Sequence, residues 1–430
     1  MTNVNSGKNP TARSKTNKVS GSKARKFLEQ FVYDVGYNSP VKTKIEQVKI
    51  NGKKIPKYIN EFWTSKQRQA VSLHEISYRA CFKPQLPRFF IELLTEPGDV
   101  VYDPFSGRGT TILEAALLKR NVIANDVNPL SAVISKPRLN VPDVSELKKR
   151  LDQIKLDTKR KADKDLSMFY HRKTEAEIVN LKNYLSRRKR QKSEDAIDSW
   201  IRMVATNRLT GHSKNFFSVY TLPPNQAAGP ESQLKINLKR KQSPVYKNVK
   251  EIILKKSLDL IKGINPTTRE SLTEVSKKAS FISKDAGKTK QIPDKSVNLT
   301  VTSPPFLNVV QYASDNWLRC WFNEIDVQKV SKKITMAKKL DEWCDIMQGV
   351  FYELFRITKP GGWVAFEVGE VNNGKIKLDE HVVPLGVNAG FKCECIVINE
   401  QRFTKTSNIW GVKNNSKGTN SNRIVLFNKC

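Results

Sequence analysis

No stretch of this sequence is apolar for long enough to cross a bilayer, and the amino terminus lacks the charged-then-apolar pattern of a secretory signal. Membrane-spanning and exported proteins are therefore disfavoured, and a cytoplasmic protein is expected. There is no CxxC pair and there are only four histidines, which removes the usual ligand spacing of a structural zinc site, so no metal is expected. The six cysteines, at 81, 320, 344, 393, 395 and 430, read as packing thiols of a reduced compartment. Cys393 and Cys395 alternate on an expected strand and should share one of its faces. Acidic residues are scarce: 42 stand against 75 Lys and Arg, a net charge of +33. Such an excess points to a polyanionic partner, most simply nucleic acid. Charge alone would equally suit a ribosomal-type binder without chemistry, so the choice rests on motifs.

The 430 residues suffice for one large domain with an insertion. Residues 1–26 are basic and carry no acid, the pattern of a disordered tail. The reading then divides the chain into 27–140 and 281–430, forming one α/β unit, and 141–280, a basic and largely helical insertion that is a candidate target-recognition region. Within the first part, Val100 to Asp103 reads as a short buried strand. A loop with Gly107 and Gly109 follows, then a helix started by Thr110 or Thr111, then a second strand, Asn121 to Asn125, ending at Asp126. Strand, Gly-rich loop, helix, strand and acid form the opening of a doubly wound, Rossmann-like sheet. The pattern resumes after the insertion with Phe281 to Asp285. Val297 to Thr300 follow, running into Val301-Thr302-Ser303-Pro304-Pro305-Phe306, where the paired prolines must end the strand.

In an open α/β sheet, ligands bind beyond the carboxyl ends of the strands. Asp103 with its Gly loop, Asp126, Asp285 and the Ser303 elbow all fall there. The Gly loop lacks the Lys-Ser/Thr pair of a P-loop and the full GxGxxG spacing of dinucleotide folds, so it implies only a close approach of bare backbone to some cofactor. An acid at the end of the second strand is where ribose hydroxyls are commonly held.

These phrases carry a family resemblance. DPFSGRGTT, Asp103 to Thr111, resembles the cofactor loop DPFxGxGTT of S-adenosylmethionine-dependent amino-methyltransferases of DNA. TSPPF resembles their catalytic [S/D/N]PP[Y/F] motif, and FKPQL, Phe82 to Leu86, resembles their KPxxL element. The resemblance implies that S-adenosylmethionine is the cofactor. Lys83, Pro84, Asp103, Phe105, Gly107 and Gly109 would lie along it, Thr110 and Thr111 at the helix start facing its carboxylate, Asp126 on the ribose and Asp285 by the adenine. It implies that Ser303 and the Pro304 carbonyl grip an exocyclic amine, that Pro305 stiffens the elbow, and that Phe306 stacks on a base flipped out of the duplex. Arg108 departs from the small residue frequent in the family.

By the same resemblance, serine in the first position, where family members mostly act on the cytosine amine, favours N4 of cytosine over adenine N6. Methylation at cytosine carbon, which uses a Cys after Pro, is disfavoured because the chain has no Pro-Cys pair. The expected partner is double-stranded DNA, the enzyme is expected to be a monomer, and the resemblance implies a restriction endonuclease as functional companion. Arg208, His212, Lys214, Asn225 and Gln226 of the insertion, and Arg402, Lys405 and Trp410 of the polar loop before the last strand, are the candidate DNA contacts. Tyr312, Asp315 and Trp317 are candidates for the base pocket. The alternatives are adenine-N6 methylation, RNA guanine-N2 methylation, and a non-catalytic nucleic-acid binder.

Overall fold

The computed structural model describes residues 19–33, 40–64, 70–79, 81–157, 159–305, 315–333, 337, 339–371, 376–400 and 421–430. Phe306, Tyr312, Arg402, Lys405 and Trp410 lie outside the described residues.

The framework is a nine-stranded mixed sheet. Its strands in chain order are β1 (Lys44–Ile50), β2 (Lys53–Asn60), β3 (Val100–Asp103), β4 (Asn121–Asn125), β5 (Ser280–Ile282), β6 (Val297–Thr302), β7 (Thr358–Val368), β8 (Lys392–Glu400) and β9 (Ser421–Asn428). Their spatial order is β1-β2-β8-β9-β7-β6-β3-β4-β5. From β7 to β5 every pairing is parallel, whereas β9 runs antiparallel to both β7 and β8. The chain moves outward from β3 through β4 to β5, then returns to place β6 on the other side of β3. The order thus reverses between β3 and β6, the switch point where such sheets open a crevice.

Fourteen described helices accompany the sheet: α1 (Gly21–Gln30), α2 (Gln85–Leu94), α3 (Thr110–Leu117), α4 (Leu130–Ser135), α5 (Val144–Gln153), α6 (Arg172–Arg190), α7 (Ala196–Arg208), α8 (Pro230–Arg240), α9 (Val249–Ile261), α10 (Pro266–Lys278), α11 (Trp317–Phe322), α12 (Val327–Lys333), α13 (Leu340–Ile357) and α14 (Leu378–Asn388). They cover both faces. Val101, Leu299, Ala365 and Leu426 belong to one apolar core with α2, α3 and the helices of 144–278. Their strand neighbours Tyr102, Val364 and Val425 belong to a second core with α13 and α14. Period-two alternation along the strands produces this division. Helix α13 shows the matching helical period: Trp343, Met347, Val350, Phe351, Leu354 and Ile357 are buried on one side, each side chain worth ~1.5–3 kcal/mol against exposure.

Two expectations need correction. The basic tail does not run to residue 26: α1 begins at Gly21, capped by Ser20, because Ala24 and Leu28 at helical spacing find a buried seat and Arg25 pairs with Glu394 of β8. Cys393 and Cys395 do not share a face. A bulge between them sets two residues of β8 against one of β9, which reverses the side-chain alternation; Cys395 packs in the first core and Cys393 against the second. The hairpin β1–β2 extends the sheet beyond β8.

Candidate functional site

At the switch point the ends of β3 and β6 are tied together. The Thr302 hydroxyl donates to Asp103 Oδ1 at 2.6 Å, and the Phe105 N–H donates to the same oxygen at 3.1 Å. The chain then turns. Gly109, at φ +71°, caps α3, and a Cβ there would lie 2.5 Å from that of Ser135, so the position accepts only glycine. The turn directs the Gly107 N–H to Asp126 Oδ2 at 2.9 Å, while the Asn128 N–H reaches Asp126 Oδ1 at 2.9 Å. Asn125 links the neighbouring loops: its amide donates to the carbonyls of Pro104 and Lys284 and accepts from the Lys284 N–H. That bridge brings the loop of Asp285 beside the loop of Asp103.

The result is an open cleft of roughly 1100 Å³, solvent mouth included. Asp103, Phe105, Gly107, Thr110, Asp126, Asp285, Ser303 and Pro305 all line it. Gly109, Thr111 and Pro304 are not among its lining residues; the Thr111 hydroxyl donates to the Val301 carbonyl at 3.1 Å. Lys83 and Pro84 flank the adjoining segment, whose Cys81 and Phe82 do face the cleft. Arg108 is buried, and its guanidinium donates to Thr110 Oγ1 and to the carbonyls of Ile76 and Phe82. The unusual residue of the loop therefore pins the 76–82 segment to the Gly turn. Burial pushes the carboxyl of Asp103 up to about 7 and that of Asp126 up to about 6, although hydrogen bonds to each favour the ionised form. Among the described residues no group of three or more His, Cys, Asp or Glu side chains is arranged to hold a metal ion, and no helix is long and apolar enough to cross a membrane.

Three residues in contact with the elbow or the cleft escape a reading by motif. Glu367 on β7, the strand beside β6, is buried; burial raises its carboxyl pKa, opposed by hydrogen bonds from the Ser303 hydroxyl and from Asn422 Nδ2. Trp343 of α13 lines the cleft and donates its indole N–H to the Pro305 carbonyl at 3.0 Å. Arg79 also lines the cleft. Each lies far in sequence from the residue it serves; the only available hint for Glu367 was an acid placed in an otherwise apolar strand.

Residues 8–137 match the family described as DNA methylase, N6/N4 type. The methylase match covers β3, the Gly loop, α3, β4 and Asp126. Type II methyltransferase M.MjaII of Methanocaldococcus jannaschii is 33% identical over 88 residues, 20% of this chain and 17% of that protein. Type II methyltransferase M.MvaI of Kocuria varians is 23% identical over 300 residues, 63% of this chain and 60% of that protein. The matched regions are thus less than two thirds of either relative. A Thermus thermophilus protein, TTHA0409, solved with S-adenosyl-L-methionine, matches at a TM-score of 0.22 and 20% identity over 34% of this chain and 53% of that one.

The insertion candidates separate into two groups. His212 and Lys214 are exposed. Arg208 is not: it is buried, stacked 4.0 Å from the Phe216 ring centre and donating to Asn207. This corrects its expected role at base edges, because the apolar packing of Phe216 and Phe217 encloses the end of α7. Asn225 is half-buried, and Gln226 gives its side-chain oxygen to Arg79 at 3.2 Å. Other cations of the insertion are consumed internally: Arg150 and Arg188 both pair with the fully buried Asp198, and Arg202 pairs with Glu194.

Proposed function

We propose that the chain is a DNA methyltransferase that transfers the methyl group of S-adenosylmethionine to the N4 amine of cytosine in a short duplex target, as the modification arm of a restriction-modification system. The observation that carries this reading is the shared cleft: the Ser303 elbow opens into the same crevice as Asp103, Phe105, Gly107, Asp126 and Asp285. The residues suit the proposed cofactor. Each oxygen of Asp126 takes one backbone N–H and keeps lone pairs for ribose hydroxyls. Asp285 spends only Oδ1, on the Gly287 N–H. The Gly107 turn offers backbone without side chains, and the carboxyls of Asp103 and Asp126 favour a cationic ligand. When bound, the sulfonium supplies a methyl group activated towards a nitrogen nucleophile.

The chain's task is then alignment. The Ser303 side chain lies beside the Glu367 carboxylate; donating its proton there leaves its oxygen lone pairs to accept an N–H of the target amine. The Pro304 carbonyl accepts the second N–H, and both contacts favour a tetrahedral, more nucleophilic nitrogen. Trp343 holds the Pro305 carbonyl and so steadies the elbow. Phe306 supplies the ring on which the flipped base stacks. The partner is double-stranded DNA, bound by a monomer, with the insertion of 141–280 contributing the recognition surface. The names of both relatives, type II methyltransferases, support the restriction-modification setting.

The test is expression in a host free of such methylation, followed by nucleoside analysis of its DNA. N4-methylcytosine made by the native chain, and absent with Ser303→Ala, is the expected result. N6-methyladenine would overturn the assigned base, and unmodified DNA would overturn the function.

A further inference from the structure

One arginine joins three parts of the molecule that the reaction must keep in register. Arg79 lines the cleft. The same Nη1 donates to Asp315 Oδ2 at 2.6 Å and to Gln226 Oε1 at 3.2 Å. Gln226 belongs to the insertion, in the loop that leads into α8. Asp315 lies beyond the Ser303-Pro304-Pro305 elbow, at the entrance to α11. Around Arg79 the two segments are stitched directly. The Ala227 N–H donates to the Asp315 carbonyl at 2.9 Å, the Trp317 indole to the Ala228 carbonyl at 3.1 Å, and the guanidinium of the buried Arg319 to the Pro224 carbonyl. The carboxylate of Asp315 is mostly shielded, with 12% of its side chain exposed, so its pairing with Arg79 is less screened than a surface ion pair. On the other side of the loop, polar contacts seat α8 on the rest of the insertion: Gln233 donates to the Tyr220 carbonyl at 3.0 Å and Asn237 to that of Met168 at 2.8 Å. Lys235, Lys239, Arg240 and Lys241, on α8 and just beyond it, are exposed.

We propose that Arg79 is a positioning residue: by holding Asp315 and Gln226 together it registers the DNA-facing insertion against the methyl-transfer cleft. The inference rests on the DNA methyltransferase reading and extends it. Arg79 does not exchange atoms with the substrate; it fixes the distance between the surface that holds the duplex and the elbow that receives the flipped base. A rigid, planar guanidinium suits this task better than a lysine, whose ammonium is a point charge on a flexible stem.

The experiment compares the full-length protein with Asp315→Asn, Arg79→Lys and the reciprocal pair Arg79→Asp with Asp315→Arg, assayed by methyl transfer to DNA from an unmodified host. For Asp315→Asn, kcat/KM for DNA should fall roughly tenfold or more, while the dissociation constant for S-adenosylmethionine stays within about twofold and the melting temperature is retained. Arg79→Lys should show an intermediate loss, and the reciprocal pair should recover part of it. Full activity of Asp315→Asn would overturn the proposal. So would a loss that tracks cofactor affinity or melting temperature, since either would mark a merely structural pair. A native chain that binds S-adenosylmethionine but methylates no DNA would instead overturn the underlying reading, and this inference with it.

Discussion

The two carboxylates on the floor of the cleft are held where their charge is sensitive to neutral pH. Asp103 titrates near 7 and Asp126 near 6, chiefly because burial disfavours the ionised form. For a carboxyl raised above its unfolded value, the stabilising contribution is complete below the ordinary carboxylate range and is lost as pH climbs through 6 to 7. A cationic ligand acts oppositely, since it favours the ionised forms. Affinity for S-adenosylmethionine should therefore rise between pH 5.5 and 8, by roughly tenfold for each carboxylate whose pKa the ligand lowers by one unit. Affinity for S-adenosylhomocysteine, whose sulfur is uncharged, should rise less. Calorimetric titration of both ligands at the two pH values tests this, and parallel profiles would refute it. At this scale Asp103, Asp126 and Ser303 were readable as strand-end residues, because each sits at or next to the end of β3, β4 or β6. Glu367, Trp343 and Arg79 were not, because each is brought to its partner by another element: Glu367 by the neighbouring strand β7, Trp343 by the long helix α13, and Arg79 by the segment before α2.

At the scale of elements, the turn between β3 and α3 is the most constrained unit. Gly109 combines a left-handed φ with contact against α4, and the fully buried Arg138 donates to the Arg108 carbonyl just before it and to that of Ile134. Gly109→Ala should cost about 2–4 kcal/mol, from the strained φ and the clash with Ser135 together. A urea melt of the ligand-free protein measures it, and a loss within about 0.5 kcal/mol would show that the turn relaxes freely. Most strands and helices of the sheet region follow from hydrophobic period and from Pro and Gly punctuation; β3, β4 and β6 lie close to where the sequence puts them. The bulge at β8 did not follow, because one inserted residue leaves the alternation of Cys393 and Cys395 unchanged on paper while reversing it in space. Nor did α1, whose two apolar anchors, Ala24 and Leu28, are too few to stand out in a basic segment.

For the whole molecule, the +33 charge is a field to be distributed, and the fold decides which cations remain outward. Arg150, Arg188, Arg202 and Arg208 are spent inside the insertion on ion pairs and ring stacking. Lys235, Lys239 and Lys241 on and just beyond α8 stay exposed. Changing these three to Gln should weaken DNA binding and flatten the plot of log affinity against log salt by roughly 0.9 for each lysine that neutralises a phosphate, with S-adenosylmethionine binding unchanged. An unaltered slope would remove this face from the interface. The sequence by itself determined the chemistry-bearing ends of β3, β4 and β6, the basic character of the insertion and the alternation that makes a two-faced sheet, since these depend on neighbours along the chain. Only the tertiary structure decided that Glu367 lies beside Ser303, that Arg79 reaches both Gln226 and Asp315, and which arginines are buried. Those contacts join residues tens to hundreds of positions apart, and their geometry is set by how strands and helices pack rather than by local periodicity.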